Sequence, residues 1–216
     1  LDKQLHSLKI NDIGDGGCKE DKFERDVRLL EDDLKNNPNN PRTYFYLANS
    51  YKNSGNYQKA IENFKKRISL GGWIEENWYS RYELGNCYMK VGREADALQT
   101  WLEAYGYHPK RAENLYEIVK HYRIKGQQQL AYVFYKMAKQ IPYPKDNILF
   151  IHTNIYDYLL DYEYSIIAYY VEQKIDMRPI FMKLLNISTS SMSNLLSNYK
   201  FYVKSLDNYK INEINL

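Results

Sequence analysis

A short helical hairpin cannot bury its own apolar face, and this chain repeats one such hairpin along much of its length. Residues 84–109 read LGNCYMKVGREADALQTWLEAYGYHP. Gly85 follows Leu84, Tyr88 comes three residues later and Gly92 marks a turn; Ala97, Trp101 and Ala104 then recur at helical spacing before Pro109. Small residues stand where two helices must touch and large ones where they interlock. Such a unit needs copies of itself on either side. In the preceding copy Tyr44, Leu47, Ala48, Tyr51, Gly55, Tyr57, Ala60 and Phe64 fall at the equivalent places. In the following copy they are Leu115, Ile118, Val119, Tyr122, Gly126, Ala131, Tyr135 and Ala138, with Pro142 near the end. If Gly85 marks a close helix–helix approach, Gly85→Leu destabilises the chain by overpacking.

Leu47 and Leu84 are 37 positions apart, and Leu84 and Ile118 are 34. The second step, with the residues above, resembles the tetratricopeptide repeat; the first carries a three-residue insertion around Gly71-Gly72-Trp73. The resemblance implies an all-α fold, a right-handed superhelix of helix-turn-helix repeats. Two residues depart from the pattern: Arg81, where it prefers an aromatic, and Arg67, where it prefers a small side chain.

The expected helices are 41–53, 57–70, 76–91, 94–107, 112–125 and 127–141, with turn glycines at 55, 92 and 126. Ahead of them, residues 21–36 read as a capping helix. Asp21 and Glu24 suit a capping box, and Phe23, Val27, Leu30 and Leu34 form its apolar stripe. Pro142 and Pro144 force the chain out of helix, and Ile148 to Ile151 is a short apolar connector. Residues 154–173 and 177–185 then align as a fourth, degenerate repeat, with Glu172 where the turn glycine would stand. Residues 187–198 are polar and serine-rich and read as a linker. Tyr199 to Val203 alternates like a strand, the start of a further module. The expected division is therefore 1–20, the tail of a preceding domain; 21–40, capping helix and linker; 41–186, repeats; and 187–216, linker and further module.

Composition narrows function by exclusion. A net charge of +3 over 216 residues gives no strong field for nucleic acid or a membrane surface. No apolar run reaches the roughly 20 residues of a membrane-spanning helix. Tyrosine is abundant at 23 copies, which suits seams between helices where the ring is buried and the hydroxyl stays wet. Two cysteines, Cys18 and Cys87, make no disulfide framework, and a reducing, cytoplasmic compartment is expected. The chain opens on Leu1, not Met, so a piece of a longer protein is expected.

No catalytic constellation is legible. His6, His108, His121 and His152 are scattered, and no two sit at i, i+4 as a helical metal pair would. Asp12 and Asp15 precede Gly16-Gly17, a spacing that suits a turn better than a cation site, and no Gly-Lys-Ser/Thr follows to make a phosphate loop. In tetratricopeptide stacks the first helix of each hairpin lines the concave groove. That resemblance makes Asn49, Lys52 and Asn53, then Tyr82, Asn86 and Lys90, then Tyr116, Lys120 and Arg123 the candidate partner-binding residues. Amides and cations so arranged suit an acidic peptide. The carboxylate clamp of chaperone-binding repeats is not expected, because its five positions hold Phe45, Asn49, Glu83, Glu113 and Glu117.

A longer resemblance covers nearly the whole chain. The segment INDIGDGGCKEDKFERDVRLLEDDL followed by YFYLANSY, with KRISLGGW, RAENLYEIVKHYR and IPYPKDNILF, resembles the junction and C-terminal repeats of family 2 glycosyltransferases, in a form similar to members encoded by giant viruses. The resemblance implies a parent enzyme whose catalytic domain precedes this region and uses a nucleotide sugar with Mn or Mg. It also implies a virus-infected host cell as the setting. Lys22 and Arg25 match that family's helix start, but Asp12 stands where many members place a metal-completing histidine. Asp12 is thus the remaining metal candidate, and no cofactor is expected in this chain itself. Two functions stay open: a non-catalytic repeat region that holds a protein or glycan acceptor for a transferase, or a free-standing adaptor that binds a peptide in its groove.

Overall fold

Asn40 and Pro41 start the first repeat by local chemistry. The Asn40 side chain accepts hydrogen bonds from the backbone N–H groups of Arg42 (3.0 Å) and Thr43 (3.4 Å), and Pro41 occupies the first turn, where its missing donor costs nothing. The computed structural model describes residues 22–172, 175–187 and 195–202. Over these the chain is helical, in the order α1 (Lys22–Asn36), α2 (Pro41–Asn53), α3 (Tyr57–Ser69), α4 (Ile74–Lys90), α5 (Glu94–Tyr107), α6 (Glu113–Ile124), α7 (Gln128–Lys139), α8 (Leu160–Val171) and α9 (Arg178–Leu185). A π-helical turn, Ile155–Leu159, leads into α8. The capping-box position Asp21 and the Asp12–Gly17 turn lie outside the described residues.

The hairpins α2–α3, α4–α5 and α6–α7 stack in chain order, as the repeat spacing predicts. Ala48, Ala60, Ala97, Ala104, Ala131 and Ala138 are fully buried at the helix contacts, and Phe64, Trp78, Trp101 and Ile118 fill the spaces between. Val27, Leu30 and Leu34 of α1 pack on this core, while no residue of α1 is fully buried. That helix covers one end of the stack. At the other end Tyr164 of α8 stacks on Tyr135 of α7, with centroids 4.4 Å apart and planes within 4°. Buried Asp161 holds Lys139 of α7 (2.5 Å) and Lys183 of α9 (2.6 Å) at once. The degenerate fourth hairpin is therefore docked by tyrosines and a shared carboxylate.

The insertion and one departure from the repeat pattern explain each other. Gly71 (φ 67°) and Gly72 (φ 90°) are consecutive left-handed residues, a path open to glycine at little cost. It carries the chain past the end of α3 and into α4. Arg67 is buried beneath it, donating to the Gly71 carbonyl (2.5 Å) and to Glu76 (3.1 Å). A small residue at 67 would leave the widened turn hollow. Arg81 instead lays its guanidinium over the Tyr107 ring, 4.1 Å from the centroid.

One expectation is corrected. Residues 195–202 are helical, so Tyr199 to Tyr202 is not a strand, and 195–198 is not a linker. Leu195, Tyr199 and Tyr202 fall four and three apart on one helical face. Leu195 and Tyr202 are buried, and Tyr202 donates to the Ser165 carbonyl at 2.9 Å. The alternation over five residues was too short to outweigh that period.

Candidate functional site

The inner face of the stack is formed by α2, α4 and α6, the first helix of each hairpin. It divides into two halves of different character. Toward the C-terminal ends of these helices lies an open cavity of about 790 Å³. Lys52, Asn53, Asn86, Lys90 and Lys120 line it, together with Tyr57, Glu83, Met89, Glu94, Glu117, His121, Ile124 and Lys125. Four lysines thus face three glutamates.

Most of that charge is already satisfied within the chain. Lys52 pairs with Glu83 at 3.0 Å, Lys125 with Glu94 at 2.9 Å, and Lys120 with Glu117 one turn away. Glu83 also accepts from the Tyr79 hydroxyl (2.8 Å) and the Asn86 amide (3.2 Å). Among the described residues nothing engages Lys90, which is exposed, and no hydrogen bond ties down the exposed Asn53 side chain. Beneath them burial, reinforced by Glu83, pushes the Cys87 thiol up to about 12 and keeps it protonated.

The remaining candidates sit elsewhere. The half-buried Asn49 amide donates to the Phe45 carbonyl at 2.8 Å. Tyr82 is buried and stacked on Trp78, with planes 3° apart. Tyr116 is buried under Lys120, and Arg123 is paired with Glu163 of α8. Burial raises the Tyr79, Tyr82 and Tyr116 phenols well above their ordinary range, with nearby glutamates adding to the shift. The three clamp-position glutamates are committed internally as well, Glu113 most deeply: it accepts from buried Arg111 (2.7 Å) and from the Tyr156 hydroxyl (2.7 Å).

Toward the N-terminal ends of the same helices the face is filled by the chain's own connector. The Glu75 carboxylate accepts from the backbone N–H groups of Ile148 (2.9 Å) and Leu149 (2.8 Å). Arg111 donates to the carbonyls of Leu149 and Phe150, each at 3.1 Å, while its guanidinium lies 4.1 Å over Trp78. Glu113 accepts from the His152 N–H at 3.3 Å. The Phe150 ring packs 5.0 Å from Tyr79 and 6.4 Å from Phe45, and His152 meets Tyr82 edge-on at 5.6 Å. The sequence predicts 148–151 as a connector, and Glu75 and Arg111 are absent from the residues it marks out. The available signal was an apolar run in a proline-bounded loop, which must bury itself somewhere.

Among the described residues no group of three or more His, Cys, Asp or Glu is gathered closely enough to hold a metal ion; Asp12 lies outside them. No described helix is long and apolar enough to cross a membrane.

Comparison with known proteins agrees with this architecture. The tetratricopeptide repeat family pattern matches residues 34–62. No curated protein matches the chain in sequence. Among solved structures the chain is similar to YrrB, described as a TPR protein with an unusual peptide-binding site, at 18% identity and a TM-score of 0.55 over 83% of this chain and 84% of that one. It is also similar to MamA, at 18% identity and 0.53 over 94% and 99%. A third likeness is to TTC0263, a thermophilic TPR protein of Thermus thermophilus, at 16% identity and 0.51 over 84% and 91%. The fold is a helical repeat stack of the tetratricopeptide type.

Proposed function

We propose that the chain is a peptide-binding repeat module whose ligand enters the open half of the groove. The observation that carries the reading is Lys90, an exposed cation on the cavity wall that no carboxylate of the described chain neutralises. Its neighbours on that wall, Asn53 and Asn86, offer amides, and Met89 and Ile124 offer apolar contact. A short peptide carrying one acidic side chain or a terminal carboxylate matches this chemistry better than a polyacidic one, because the other lysines are already paired. That YrrB is described as having a peptide-binding site supports the capacity of such a stack to host one.

Fluorescence anisotropy tests the reading with labelled short peptides that differ only in the presence of a single Glu. The Glu-bearing peptides bind the wild type, and Lys90→Glu weakens them about tenfold or more, the scale of one charge-assisted contact. Equal binding of both peptide sets, or indifference to Lys90→Glu, overturns it.

The attachment of this module to a family 2 glycosyltransferase, where it would hold a protein or glycan acceptor, is a finer proposal. It rests on the resemblance of the stretches quoted above, as does a virus-infected cytoplasm as its setting. Reading the source gene upstream of Leu1 for a catalytic domain with an Asp-x-Asp motif tests it.

A further inference from the structure

The connector is held in the way a peptide ligand is held. Between positions 148 and 152 five main-chain groups are read by side chains of the inner face: the N–H groups of Ile148 and Leu149 by Glu75, the carbonyls of Leu149 and Phe150 by Arg111, and the N–H of His152 by Glu113. Arg111 and Glu113 are completely buried, so these contacts come from groups fixed in place by the stack. Main-chain recognition of a short bent segment, with an aromatic side chain received by Phe45 and Tyr79, is the chemistry of a peptide site. The segment is held mainly through its backbone, since its apolar side chains stay largely outside the stack: Ile148 is 81% exposed and Phe150 51%. Phe150 also has φ 43°, a left-handed conformation rare for a residue with a side chain and held here by the contacts on both sides of it.

We propose that the N-terminal half of the inner face is a second peptide site, one that reads a short, bent apolar–aromatic segment through its backbone, and that residues 147–152 are its resident ligand. A peptide supplied by another protein is thereby confined to the lysine-bearing half. This is independent of what binds there, since Lys90 touches none of the groups involved.

The test replaces residues 147–152 by a glycine–serine stretch of equal length in the full chain. A fluorescein-labelled peptide with the sequence of residues 145–153 is then titrated into both proteins. The wild type shows no saturable binding, the replaced chain binds saturably, and adding Glu75→Gln to it weakens binding about tenfold or more. A replaced chain that keeps its helical circular dichroism and cooperative melting yet does not bind the peptide overturns the proposal. So does equal binding to both chains. If the replaced chain does not fold, hydrogen exchange on the wild type decides. Protection of the Ile148, Leu149 and His152 amides by about a hundredfold or more over the unfolded rate supports a seated ligand, and exchange at the unfolded rate overturns it.

Discussion

The indole of Trp101 lies directly against the backbone of Gly85: a Cβ at position 85 would stand 2.5 Å from its Cδ1 and closer still to its Nε1. The same Nε1 donates to the Tyr82 carbonyl at 3.1 Å, so the ring has no slack to move. This contact sets the distance between α4 and α5.

Gly85→Ala therefore destabilises the chain by about 1–3 kcal/mol, although alanine is the better helix former, and Gly85→Leu by more. Thermal melts of the single variants and of Gly85→Ala in a Trp101→Leu background check this. The alanine costs less once the indole is gone.

Arg67 and Glu76 predict a different pattern. Their side chains are only 1% and 6% exposed, so Arg67→Ala strands a buried carboxylate and costs about 3–5 kcal/mol by urea unfolding. Replacing both with methionine recovers a large part of that loss, since neither charge then remains buried.

Alkaline pH acts through the tyrosine seams. The phenols of Tyr79, Tyr82, Tyr116, Tyr135 and Tyr156 are all raised, chiefly by burial. Above the ordinary tyrosine value of about 10, unfolded phenols lose protons that folded ones keep. The native state then binds more protons than the unfolded state, so stability falls as pH rises. Absorbance at the phenolate band follows this directly: the buried tyrosines ionise together with unfolding rather than before it.

Cys87 is the corresponding test at milder pH. With its thiol held up at about 12, little thiolate forms at pH 8. Iodoacetamide labels position 87 slowly in the folded chain and at the rate of an ordinary thiol in urea.

The repeat register was legible because it is written in residues that can do only one thing there. Gly85 against Trp101 and the alanines at helix contacts leave no alternative packing. The role of Arg67 was not legible, because a departure from a pattern does not say what compensates it; here the partner is the inserted Gly71-Gly72 turn. The candidate site was half legible. Lys52, Asn53, Asn86, Lys90 and Lys120 do meet around one cavity, but spacing alone could not show that Lys52 and Lys120 are paired within the chain. Nor could it place residues 148–152 over Phe45, Tyr79 and Tyr82, since those contacts join positions about 70 to 105 apart.

Backbone and side-chain amide shifts of the full chain, followed during titration with a short Glu-bearing peptide, test the account most directly. The predicted result is movement of the Asn53 and Asn86 side-chain amides and of the signals around Lys90, with Ile148, Leu149 and His152 unchanged. Movement confined to 148–152, or to the outer helices α3, α5 and α7, would contradict it.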